Sequence, residues 1–143
     1  MVNLRTRSAA RLLLLCLSLS PNIVSADQIP AQCAASSEYS SSWCDFAEPQ
    51  SFDKGTQLAL QVDGEAKRVL VRVLRSGQNP NDKAGIVGSV VDVPESGPIT
   101  VTLPRSYTDV SQISVHGGPK PWNHDLGADN GAPTLVSIDR IEQ

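Results

Sequence analysis

Apolar and polar residues alternate with a period of two along most of the chain after residue 55. Leu58, Leu60 and Val62 interleave with Gln57, Ala59 and Gln61, the pattern of a half-buried strand. Asp63-Gly64 supplies a turn. Residues 66–75 (AKRVLVRVLR) place Val69, Val71 and Val73 on one face and Leu70, Arg72 and Leu74 on the other. Their β-branched content favours a strand over a helix. Turn-forming residues fill 76–85 (SGQNPNDKAG). Further strands are predicted over 86–93, with Gly88 at a bulge, over 99–103, over 110–116 with Ile113 and Val115 inward, and over 135–141.

Six strands joined mostly by short turns, with no helical period after residue 50, predict an all-β domain. Two antiparallel sheets packed face to face as a β-sandwich would seal the apolar rows between them; a small closed barrel is the alternative. Aromatics are only 4% of the chain, so Val, Leu and Ile must build the core.

The first 26 residues follow another logic. Arg5, Arg7 and Arg11 precede the apolar run LLLLCLSL at 12–19; Pro21 follows, then Val24-Ser25-Ala26. That order predicts a secretory signal peptide over 1–26, and hence a secreted or periplasmic protein. The apolar run is far short of the ~20 residues that span a bilayer, and no later segment spans one either. An uncleaved anchor is the alternative. Residues 27–52 are polar and Ser-rich and read as an N-terminal arm; 53–143 read as the sandwich domain.

Cleavage changes the chemistry of what remains. Removing 26 of 143 residues takes away Cys16, three of the 12 Lys and Arg, and none of the 15 acids. The remaining 117 residues carry a formal charge of −6, with no basic stripe, which disfavours nucleic acid and anionic membranes as partners. Cys33 and Cys44 are then an even pair in an oxidising compartment, and a disulfide is expected that pins the arm, with Trp43 as its apolar plug or, as the alternative, a ligand-stacking residue.

One connection is long: 117–134 reads GGPKPWNHDLGADNGAPT. Long loops in compact domains tend to be functional, and here glycines and prolines predict an ordered one. Candidate ligand-binding residues are Trp122, Asn123, His124, Asp125 and Asn130, with His116 at the loop's start. Trp122 could stack on a sugar ring while its neighbours hydrogen-bond hydroxyls, or it could tuck into the sandwich edge. Asp125, Asp129 and Asp139 offer oxygen ligands for calcium, although no EF-hand spacing is present. His116 and His124 would need a third ligand to hold zinc. No Gly-x-Ser-x-Gly elbow and no phosphate-binding loop occurs, so no catalytic residue and no cofactor is assigned.

Residues 107–141 run as strand, Gly-rich aromatic loop and closing strand ending Ser137-Ile138-Asp139-Arg140-Ile141. This third of the chain resembles the galactose-binding-like jelly rolls, which include many carbohydrate-binding modules. The resemblance implies a non-catalytic binding module and carries over no site residue, because no sugar-binding or calcium motif aligns. The expected function is therefore an exported, non-catalytic sandwich that binds a ligand, glycan foremost, through 116–131. The alternatives are an envelope or secreted component that binds another protein, and a small secreted hydrolase.

Overall fold

In the computed structural model the described residues are 26–36, 38, 40–78, 90–118, 126 and 130–142. None of them is helical; they form nine strands. These are β1 (Ala26–Gln28), β2 (Ala31–Ser36), β3 (Ser41–Phe52), β4 (Gln57–Gly64), β5 (Arg68–Arg75), β6 (Val91–Asp92), β7 (Ile99–Thr102), β8 (Tyr107–His116) and β9 (Pro133–Ile141).

The strands make two antiparallel sheets, a four-stranded one in the order β1-β9-β4-β7 and a five-stranded one in the order β2-β3-β8-β5-β6. Apart from the β2–β3 and β5–β6 pairs, every connection crosses from one sheet to the other. That is the wrapping of a jelly roll, with β2 as an added edge strand beside β3.

Each of the six strands predicted after residue 55 has a counterpart. Leu58, Leu60 and Val62 from β4 meet Val69, Val71 and Val73 from β5 in one core, joined by Ile113 and Val115 from β8 and by Ile138 from β9. Burying each of these aliphatic side chains contributes roughly 1.5–3 kcal/mol. Of the strand expected over 86–93, the described part is β6; Gly88 and its neighbours lie outside the described residues. Phe46 and Phe52 pack edge to face at 6.2 Å, and the Arg140 guanidinium lies 4.7 Å from the Phe52 ring.

The stretch 27–52, expected as an arm, instead contributes β2, β3 and most of β1 to the sandwich. β3 lies inside the five-stranded sheet, and Cys44, Phe46 and Phe52 are buried in the shared core. The polar sequence hides this because Ser42, a small polar residue, occupies an inward position at 0% exposure. The expected disulfide joins Cys33 to Cys44, directly opposed on β2 and β3 with a Cα–Cα distance of 4.0 Å. Of residues 1–26, only Ala26 is described, and no helix among the described residues is long and apolar enough to cross a membrane.

Candidate functional site

The long loop between β8 and β9 is clamped at its base. Asn130 Oδ1 accepts the backbone N–H groups of Lys67 (2.8 Å) and Arg68 (3.0 Å). Its Nδ2 donates to the carbonyls of Arg68 (2.9 Å) and Gly117 (2.7 Å). A carboxamide has two donors and an acceptor oxygen with two lone pairs, so this side chain is fully committed to backbone. Asn130, proposed from sequence as a ligand contact, is placed as the pin that ties the loop to the β4–β5 turn. The N–H of Gly117 donates to the Ser40 carbonyl at 2.7 Å, closing the same base against the β2–β3 turn.

The chain approaches itself too closely here for side chains. A Cβ on Gly117 would lie 2.7 Å from the Gly131 carbonyl oxygen, and one on Gly131 would lie 2.6 Å from Glu65 Cβ. Glycine at both positions lets the two ends of the loop and the β4–β5 turn pack backbone on backbone.

A second anchor lies further along. Arg68 donates from Nη2 (2.6 Å) and Nε (3.1 Å) to the Leu126 carbonyl. Alternation along β5 puts Arg68, Leu70, Arg72 and Leu74 on the outer face of the five-stranded sheet, away from the inter-sheet core. Leu70, Arg72, Leu74 and Ser114 are nonetheless buried, as is Leu126 at 2% exposure. This half of the outer face is buried, and Arg68 ties the Leu126 carbonyl to it.

His116 ends β8 on that face, opposite Leu70 and Ser41. Burial first, and the positive charge of Arg72 second, together lower its pKa from 6.5 to about 4. At neutral pH the imidazole is therefore uncharged.

Trp43 occupies the other half of the same outer face. Adjacent strand residues point to opposite sides, so Trp43 faces away from Cys44 and does not plug the disulfide. Ala34 on β2 and Ser114 on β8 stand directly beside it. Asp45 follows on the same strand, and its Oδ1 accepts a 2.8 Å bond from Gln112 Nε2. The indole is half-buried. The inward disulfide is the sequence signal that fixes this face: once Cys44 points in, period two turns Trp43 out.

Of the other residues named from sequence, Trp122, Asn123, His124, Asp125 and Asp129 lie outside the described residues. Asp139 stands opposite Ala59 and Gln28 in the four-stranded sheet, six positions along β9 from Pro133, roughly 20 Å at strand rise. Among the described residues, no three His, Cys, Asp or Glu side chains are grouped to hold a metal ion.

No protein-family model, no curated protein and no solved structure matches the chain. Any functional reading therefore rests on the chain's own geometry and chemistry.

Proposed function

We propose that this is an exported, non-catalytic β-sandwich that binds glycan through residues 116–131 and the sheet face on which that loop is anchored. The observation that carries the reading is the clamp formed by Asn130 and Arg68. It holds a long loop, rich in Trp, Asn, His and Asp, on a rigid two-sheet scaffold. Binding loops function on such scaffolds because little conformational freedom is lost when the ligand arrives. Trp122 supplies an aromatic face, and Asn123, His124 and Asp125 supply donors and acceptors for hydroxyls.

A glycan array or polysaccharide pull-down with the disulfide-bonded protein tests this, with Trp122→Ala beside the wild type. Retained glycan that is lost on Trp122→Ala is the expected result. No retention of any glycan by the wild type overturns the reading. Export is tested separately by N-terminal sequencing of the protein recovered outside the cytoplasm, where Asp27 is expected as the first residue.

One observation favours a second reading, an interaction component of the cell envelope. β2 is an edge strand of six residues, AQCAAS, without a charge, a proline or a bulge. Edges of this kind accept a further strand unless something blocks them. Co-purification of a stoichiometric partner that Ala35→Pro displaces, with no glycan bound, would favour it.

A further inference from the structure

We propose that Trp43 is the stacking platform of the ligand site and that its ligand is a neutral oligosaccharide. This inference rests on the glycan reading above and adds to it a contact residue outside the loop and a charge class for the sugar.

Position is the first argument. Trp43 shares the outer face of the five-stranded sheet with Arg68, whose guanidinium bonds the Leu126 carbonyl. Its direct cross-strand neighbours, Ala34 and Ser114, are both small. A flat aromatic surface bordered by small residues suits the C–H face of a pyranose ring.

Hydrogen bonding is the second. The outward positions diagonal to Trp43 on β8 are Gln112 and His116, and those flanking it on β3 are Ser41 and Asp45. The bond from Gln112 to Asp45 fixes both side chains. A carboxylate and a carboxamide joined by one bond retain further acceptor and donor capacity, which hydroxyls of a stacked sugar can use.

Rigidity is the third. Ala34 faces Trp43, and the adjacent pair in the register, Cys33 and Cys44, is the disulfide. The covalent link therefore ties β2 to β3 at the platform itself. A surface ordered before binding loses less entropy on binding.

Charge decides the class. Asp45 is exposed at the platform, whereas Arg72 is buried at 3% exposure. An acidic sugar would meet a carboxylate here and find no exposed cation on the described outward positions around Trp43; a neutral sugar meets no penalty.

The test uses the full disulfide-bonded chain with cello-, xylo-, manno- and chitohexaose, and polygalacturonate as the acidic probe. Trp43→Ala should weaken binding of the retained neutral probe roughly tenfold or more, and Trp43→Phe should restore part of it. Because Trp43→Ala could also disturb the sheet, the wild type is labelled with 5-fluorotryptophan. The chain has two tryptophans, so a Trp122→Phe variant assigns both resonances. A shift of the Trp43 resonance on adding the retained hexaose supports the proposal. Binding that leaves this resonance in place, or binding unaffected by Trp43→Ala, overturns it while the glycan reading stands. Preference for polygalacturonate overturns the neutral class. Failure of the wild type to bind any glycan overturns both.

Discussion

The hydroxyl of Ser42 joins the two sheets through Leu135. Ser42 Oγ accepts the Leu135 backbone N–H at 2.8 Å and donates to the Ala34 carbonyl at 2.8 Å. The bond exists because β9 is bulged: Gln61 faces Ser137 and Val62 faces Leu135, leaving Val136 as the extra residue. An amide turned inward by the bulge needs a partner, and the opposite sheet supplies it. Ser42 is 0% and Leu135 1% exposed, so water cannot substitute. Ser42→Ala should therefore destabilise the fold by roughly 1–3 kcal/mol, the cost of a buried unsatisfied amide. The exposed Ser76, which bonds Asp109 Oδ1 at 3.0 Å, is the control, and Ser76→Ala should stay within about 0.5 kcal/mol. Urea unfolding of both variants checks this; equal effects would refute the bridge.

The disulfide closes a loop of sequence separation 11, for which chain entropy gives about 3 kcal/mol. Cys44 is wholly buried while Cys33 is exposed on the edge strand. The double variant Cys33→Ala/Cys44→Ala removes the link without leaving a reactive thiol. It should unfold at lower urea concentration than the oxidised wild type by that order of energy. Adding reductant should lower wild-type stability and leave the double variant unchanged. Hydrogen exchange should quicken first at the β2 amides bonded to β3, because β2 has no other neighbour in its sheet.

The core strands were legible where both faces obeyed the rule of alternation. β4 and β7 pair Val, Leu and Ile inward with Gln and Thr outward. β3 reverses the expected polarity at its start: Ser42 points in and Trp43 out. Polarity alone thus concealed three strands, and only their cross-strand partners reveal them. The loop was legible from its length and its glycines. The role of Asn130 was not, since its partners Lys67 and Arg68 lie 63 and 62 residues away and bond through backbone atoms that carry no sequence signature.

Asn130→Ala removes four hydrogen bonds at once. The site is half-buried, so water recovers part of the loss, and about 2–3 kcal/mol of destabilisation is expected. Asn130→Asp keeps the acceptor for Lys67 and Arg68 but turns an oxygen toward the carbonyls of Arg68 and Gly117, so it should not rescue stability. Amide exchange at Lys67 and Arg68 separates the two: fast in Asn130→Ala, still protected in Asn130→Asp at neutral pH. Gly131→Ala should be at least as damaging, because its Cβ would sit 2.9 Å from the backbone carbonyl carbon of Glu65. Exchange rates at Lys67 and Arg68 that match wild type in Asn130→Ala would show that the clamp does not order the turn.

His116 gives the fold a defined response to acid. Its folded pKa, about 4, lies below the ordinary value of 6.5, first because burial disfavours the charged ring and then because Arg72 repels it. Between these values the unfolded chain takes up a proton that the folded chain does not. Stability from this group is thus complete above about pH 6.5, declines as pH falls toward 4, and changes no further below. The full shift corresponds to a few kcal/mol, and solvent around the partly exposed ring reduces it to roughly 2–3 kcal/mol. His116→Gln replaces the ring with a side chain that does not titrate. Because carboxylates also titrate at the acid end, the quantity to measure is the difference in unfolding free energy between wild type and His116→Gln from pH 7 to pH 4. Wild type should lose stability faster than the variant across that window. Parallel profiles would mean that the imidazole takes up its proton in the folded chain as readily as in the unfolded one.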